Sequence, residues 1–140
     1  MLINRKAKYK PRLVAICLAS LAALSGCGSA GSADRLRDDF RRGIADIRTT
    51  RGVELRARLT ATIARLRDDS GPGRELAVEG FAATRRGIQA QIDMATNDSG
   101  RLEGAVRDAR RSDRNLNRGA DLLRAAGRAI GVPVGRLNGR

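Results

Sequence analysis

The sequence contains no histidine and no tryptophan, and it has one tyrosine, two phenylalanines and two cysteines among 140 residues. The absence of histidine removes the side chain that most often serves as a general base or a metal ligand. The three lysines all lie within the first ten residues, so no Ser-Lys catalytic pair can form in the rest of the chain. The composition therefore excludes most hydrolase and metal-site chemistries, and it predicts a non-enzymatic protein without a cofactor or a bound metal.

Charge is distributed unevenly along the chain. There are 28 Lys+Arg against 15 Asp+Glu, which gives a formal net charge of +13. Five of these cations lie in residues 1–12, so the part from Cys27 onward has 23 arginines, no lysine and a net charge of +8. Two explanations of the arginine excess stay open: the codon usage of a GC-rich genome, and selection for the bidentate binding of anions by guanidinium groups.

The N-terminal segment has the order of charges and apolar residues that is typical of an exported precursor. Residues 1–12 are cationic, and residues 13–24 follow as an uncharged, largely apolar run of twelve residues, a length suited to a signal peptide. Residues 13–33 contain no charge, so an uncleaved membrane anchor is the alternative. The small residues of 26–33 form helices poorly and favour cleavage. Both interpretations place the rest of the chain outside the cytoplasm, because the cationic segment stays inside.

The apolar run ends in the strongest motif of the sequence, which consists of Leu24, Ser25, Gly26 and Cys27. A branched apolar residue, two small residues and a cysteine in this order resemble the lipobox of bacterial lipoprotein precursors. The resemblance implies that residues 1–26 are removed as a signal peptide, and that the thiol of Cys27 carries diacylglycerol that anchors the chain in a membrane. It covers only about residues 1–28 and leaves open which membrane of the envelope carries the protein.

The chain after the motif is predicted to be all-α. Residues 27–33 are expected to form a flexible, lipidated tether, followed by a helical domain of residues 34–130. Apolar residues at spacings of three and four predict helices at about 33–69, 74–95 and 100–130, and two dense turn signals separate them. In the first helix Arg51 falls on the apolar stripe, which predicts a kink or break near residues 49–52. The expected architecture is an elongated three-helix bundle or an antiparallel coiled-coil hairpin.

The third predicted helix has the most regular pattern. Apolar residues recur every seven positions at Leu102, Ala109, Leu116, Leu123 and Ile130. The core positions between them are small residues, which let a neighbouring helix approach closely and favour a hairpin with the preceding helix. Residues 131–140 form a tail that ends this helix and is either mobile or folded back onto the bundle through its apolar residues.

The opposite face of the third helix carries a row of arginines. At 100° per residue, Arg111, Arg114 and Arg118 lie within about 40° of Arg107, and no acid interrupts the row. Neighbouring arginines at this spacing repel each other unless an anion neutralises them. The pattern favours a solvated arginine-rich face, and binding of anionic phospholipid or of an anionic cell-wall polymer is the alternative. Nucleic acid is disfavoured because the domain is exported and has no aromatic stacking platform.

Three functional hypotheses follow. The leading one is a lipid-anchored, non-enzymatic helical protein of the cell envelope that serves as a structural or interaction module. The first alternative is a binder of an anionic membrane surface or wall polyanion through the arginine row. The second is an enzyme or inhibitor with an unrecognised site, which a deep polar cleft among the helices would favour. The sequence identifies neither a protein partner nor an oligomeric state, since a heptad seam suits a hairpin and a dimer equally well.

Overall fold

The structure is a computed structural model that describes residues 29–96 and 102–137. These residues form four helices and no strand: α1 Ser29–Thr49, α2 Gly52–Asp68, α3 Arg74–Thr96 and α4 Leu102–Ile130. The all-α prediction is confirmed. The predicted signal peptide 1–26, Cys27 and most of the second turn signal lie outside the described residues. None of the described helices is long and apolar enough to cross a membrane.

The structure confirms a break at the predicted position near residues 49–52, since α1 ends at Thr49 and α2 begins at Gly52. The prediction of one helix over 33–69 is therefore wrong, and the described residues form four helices where the sequence predicts three. The break lies where Arg51 interrupts the apolar stripe. The Nη1 of Arg51 donates hydrogen bonds to the carbonyl oxygens of Ile47 (3.0 Å) and Arg48 (3.3 Å), which satisfies acceptors at the end of α1. The following residue, Gly52, has a φ of +58°, a conformation that glycine adopts without strain.

The prediction of a flexible tether is wrong for residues 29–33, which belong to α1. Ser32 is buried, and its hydroxyl oxygen lies 2.9 Å from the hydroxyl oxygen of Ser70 in the turn between α2 and α3. This tertiary contact explains why the helix extends through residues of low helix propensity. The part of the tether at residues 27–28 lies outside the described residues.

Helices that follow one another in the chain pack against one another, and the interface between α3 and α4 is the most extensive. The predicted hairpin of the last two segments therefore forms. Phe40 of α1 and Phe81 of α3 are fully buried, and their rings meet edge to face with centroids 5.6 Å apart. This pair joins the first helix to the hairpin. The remaining large side chains of the core cluster are Leu36, Ile44, Ile47, Leu55, Leu59, Ile63, Leu66, Ile88, Leu123, Ile130 and Val132.

Small residues bring α3 and α4 into backbone contact. A Cβ atom added at Gly119 of α4 would lie 2.9 Å from the backbone nitrogen of Thr84 and 3.1 Å from the carbonyl oxygen of Gly80, both on α3. It would also overlap the side-chain oxygen of Thr84. The sequence prediction that small residues in the heptad permit close helix packing is therefore correct at this position.

The heptad of α4 describes the core from Ser112 onward, but not in the first turns of the helix. Leu123 and Ile130 are buried, whereas Leu102, the first predicted core position, is 80% exposed. The reason is the length of the neighbouring helices. The Nη1 of Arg56, near the start of α2, donates a 2.6 Å hydrogen bond to Gln89 of α3. The C-terminal end of α3 and the first turns of α4 therefore extend past the N-terminal end of α2.

The tail folds back onto the bundle over residues 132–137. The amide of Val132 donates a 2.8 Å hydrogen bond to the carbonyl oxygen of Gly127, and Gly131 turns the chain with a φ of +78°. Val132 is buried, and Val134 and Leu137 are partly buried against the core. The apolar residues of the tail therefore extend the hydrophobic core after α4 has ended.

Candidate functional site

All four arginines of the predicted row are exposed on α4. Arg118 forms an ion pair with Glu79 of α3, so the acid that its own helix does not supply comes from the neighbouring helix. Within residues 29–96 and 102–137, the guanidinium groups of Arg107, Arg111 and Arg114 have neither an ion pair nor a hydrogen bond. Of the four arginines in the predicted row, Arg118 is therefore paired with an acid, and the other three face solvent without an acidic partner among the described residues.

The arginines of α1 and α2 differ from those of α4, because many of them are paired. Arg37 and Arg41 bind the aspartates three residues before them. Arg65 joins α2 to Asp39 of α1 at 2.8 Å. The pKa of Arg58 lies above its ordinary value because its side chain donates hydrogen bonds to Asp46 and Glu54. In this chain, then, arginines outside α4 frequently have acidic partners, and three arginines of the row do not.

The structure shows further residues beside the predicted arginine row that the sequence prediction did not include. A groove of about 410 Å³ runs along the first turns of α4. We call it the α4 patch, and its lining residues are Leu102, Glu103, Val106, Arg107, Arg110 and Arg114. Arg110 lies off the predicted row, and Leu102 and Val106 are exposed where the heptad predicts burial of Leu102. The signal that could have found them is the spacing of four residues that links positions 102, 106, 110 and 114.

A second depression of about 560 Å³ lies among the four helices and the tail. Ile47, Leu55 and Ile88 contribute apolar walls, and the exposed residues Arg51 and Asp113 contribute opposite charges. An enzyme would require catalytic side chains in this cleft, whereas an inhibitor would require only a binding surface. The lining contains one carboxylate and no histidine, cysteine or lysine, and the described residues contain no cluster of three metal-ligating side chains. The cleft therefore combines apolar walls with one carboxylate and one guanidinium group.

Two buried polar atoms have no hydrogen-bond partner within the described part of the chain: Oδ2 of Asp69 and Oγ of Ser112. Burial raises the pKa of Asp69 above its ordinary value, the carboxylates of Asp39 and Asp68 raise it further, and Arg35 opposes the shift. Asp69 is the C-cap residue that follows α2, and the dipole at this end of the helix also disfavours a negative charge. These features concern the stability of the bundle and do not form a catalytic pair.

Comparison with known proteins finds no relative from which a function could be transferred. No protein-family model matches the chain, and neither a curated protein sequence nor a solved structure matches it. The functional argument therefore depends on the chain's own surface, on which the α4 patch combines uncompensated positive charge with exposed apolar side chains.

Proposed function

We propose that this protein is a lipid-anchored, non-enzymatic module of the cell envelope that binds an anionic surface through α4. The observation that supports this function is the exposure of Arg107, Arg111 and Arg114 without an acidic partner among the described residues. Codon bias alone accounts for a high number of arginines, but it does not account for the cluster of unpaired arginines between Arg107 and Arg114. Five of the nine arginines of α1 and α2 have an acidic partner, whereas on α4 only Arg118 and Arg124 have one among the described residues. The lipobox-like Leu-Ser-Gly-Cys sequence supports attachment of the same chain to a membrane.

The expected strength of this binding follows from the charges. Each cation close to an anionic membrane surface contributes about 1 kcal/mol. Three uncompensated arginines would therefore strengthen binding by about 3 kcal/mol, on the order of a hundredfold. Binding also removes the mutual repulsion of guanidinium groups on adjacent turns, which costs a few tenths of a kcal/mol per pair. Because the contribution is electrostatic, salt should weaken the binding.

The first test measures co-sedimentation with vesicles that contain phosphatidylglycerol, using residues 28–140. The described core lies within residues 32–137, so this chain is expected to fold without the leader. The double variant Arg111→Glu/Arg114→Glu reverses two charges of the row, and we expect its binding to fall by at least about tenfold. The matched control is Arg86→Glu/Arg136→Glu, which makes the same charge change at two other exposed arginines.

The control should retain most of the binding. If both double variants lost binding equally, the effect would come from the net charge of the protein and not from α4. If Arg111→Glu/Arg114→Glu bound like the unmodified chain, the proposed role of the row would be wrong. Circular dichroism of each variant verifies that the helices are intact.

A second test addresses the anchor. In the native host, the mature protein is expected to begin at Cys27, to carry the mass of diacylglycerol and to fractionate with membrane. Cys27→Ala should abolish the added mass and the processing before residue 27, because the thiol is the acceptor of the lipid. An unprocessed chain that begins at Met1 would contradict the lipoprotein assignment and support an uncleaved anchor. Intact-mass spectrometry of both proteins decides between the two.

A further inference from the structure

We infer that the anionic surface is a lipid bilayer, and that Leu102 and Val106 enter its headgroup region while Arg107, Arg110 and Arg114 bind lipid phosphates. This inference rests on the proposed function, since it identifies the surface that the arginines of α4 bind. It depends on the apolar part of the α4 patch, which the electrostatic argument does not use.

Three of the five exposed large apolar side chains among the described residues lie where α3 and α4 extend past the N-terminal end of α2; the other two are Val53 and Leu76. Leu102 is 80% exposed and Val106 is 43% exposed. Met94, near the end of α3 in the same hairpin, is 40% exposed. A hydrated polymer such as a wall polyanion would bind the guanidinium groups and leave these side chains in water. A bilayer interface accepts both, since apolar side chains lie among the upper acyl chains while arginines stay at the phosphates.

The order of residues along the groove suits this arrangement. Leu102, Val106, Arg110 and Arg114 follow one another at intervals of one helical turn. Leu102 therefore occupies the outer end of α4, and the arginines begin at Arg107, five residues further along the helix. A guanidinium group binds a phosphate bidentately, which a lipid headgroup permits. Glu103 is the one acid in the lining, and the three arginines outnumber it.

The patch lies at the opposite end of the bundle from the point where the chain enters it. The contact of Ser32 with Ser70, and the 3.2 Å hydrogen bond from Nε of Arg37 to the carbonyl oxygen of Ile130, place the start of α1 beside the C-terminal end of α4. At 1.5 Å per residue, Leu102 lies about 42 Å along α4 from Ile130. Contact of the patch with a bilayer is therefore separable from any attachment through Cys27, and residues 28–140 are sufficient to measure it.

The absence of tryptophan from the sequence permits a direct test, because a single introduced tryptophan is the only one in the chain. We expect the emission of Leu102→Trp to shift to shorter wavelength on phosphatidylglycerol vesicles, and brominated acyl chains to quench it. The matched control is Leu76→Trp, in the first turns of α3 at the other end of the hairpin, where the native side chain is 36% exposed. Its emission should not change with vesicles.

A second pair of variants removes the apolar contribution while preserving every charge. Leu102→Ser/Val106→Ser should bind phosphatidylglycerol vesicles several-fold more weakly than the unmodified chain, and should bind a soluble polyphosphate equally well. Both side chains are exposed, so the folded bundle is expected to persist.

The outcomes separate this inference from the proposed function. Vesicle binding that depends on Arg111 and Arg114 but leaves the Leu102→Trp emission unchanged would overturn bilayer insertion and retain the anionic surface. Equal emission shifts at positions 102 and 76 would also overturn it, because the contact would not be specific to the patch. If the unmodified chain bound neither vesicles nor polyphosphate, both the proposed function and this inference would be wrong.

Discussion

Replacement of Gly119 by alanine is expected to lower the free energy of unfolding by about 2–3 kcal/mol. The new methyl group would lie 2.9 Å from the backbone nitrogen of Thr84 and would overlap that residue's side-chain oxygen. Backbone atoms of α3 cannot rotate away as the end of a flexible side chain can, so the two helices must separate. Because α3 and α4 form the most extensive interface of the bundle, this separation weakens packing along the hairpin. Urea denaturation followed by circular dichroism measures the effect.

Gly104→Ala is the matched control, since it makes the same change on the same helix. A Cβ atom at Gly104 would meet no neighbouring atom within 4 Å. Alanine has the higher helix propensity, so this variant should be more stable by about 0.5–1 kcal/mol. A decrease in the free energy of unfolding for Gly119→Ala and an increase for Gly104→Ala would establish close helix contact at Gly119. A stabilising effect at both positions would contradict the packing of α3 on α4 described above.

Truncation of Phe81 to alanine is expected to lower the free energy of unfolding by about 3–5 kcal/mol. Its ring is fully buried and meets the ring of Phe40 edge to face, so the substitution leaves a cavity between α1 and α3. A loss of this size is a large part of the total stability of a small domain, which is about 5–15 kcal/mol. Val53→Ala removes apolar atoms from a side chain that is 58% exposed, and its effect should stay within about 0.5 kcal/mol. Chemical denaturation compares the two variants.

A series of substitutions that remove fewer atoms than alanine does tests whether the two aromatic rings stabilise each other. The variants Phe40→Leu and Phe81→Leu and their combination preserve apolar volume while removing the edge-to-face contact. The double variant should lose less stability than the two single variants together, with a coupling of about 0.5–1.5 kcal/mol. Additive effects would mean that the rings contribute through burial alone.

The two proposals concern different ends of the same bundle. The lipobox-like motif precedes α1, and the start of α1 lies beside the turn between α2 and α3 through the contact of Ser32 with Ser70. The α4 patch lies at the other end of the hairpin. A protein with both attachments would be bound irreversibly at its lipid and reversibly, in a salt-dependent manner, at its patch.

The break between α1 and α2 illustrates how far periodicity predicts this fold. The apolar stripe of the first segment shows a charged residue at Arg51, so a kink or break could be predicted there from the sequence. Whether the helix bends or ends depends on local geometry. The structure ends it, because the guanidinium group of Arg51 binds the carbonyl oxygens of Ile47 and Arg48 and Gly52 adopts a positive φ.

The errors at Ser32 and Leu102 have one physical cause, since each was predicted from local sequence and determined by distant residues. The segment before Asp34 resembles a flexible linker in composition, yet Ser70 makes the contact that orders Ser32 in α1. Leu102 satisfies the heptad, yet it lies at the end of the α3–α4 hairpin, past the N-terminal end of α2, and is 80% exposed. Helical periodicity identifies the face of a helix that is apolar, but not the part of its length that has a neighbour.

The sequence by itself determined the helical class, the turn after α2, the exposure of the arginine row and the absence of histidine-based chemistry. These follow from composition and from the period of the apolar residues, which act over a few helical turns. Only the tertiary structure decided that Glu79 neutralises Arg118 while Arg107, Arg111 and Arg114 stay uncompensated. It also decided that Leu102 and Val106, which share a face of α4 by their spacing, stay exposed. Both depend on the register between helices, which arises from side-chain packing across the bundle and is not encoded in any one segment.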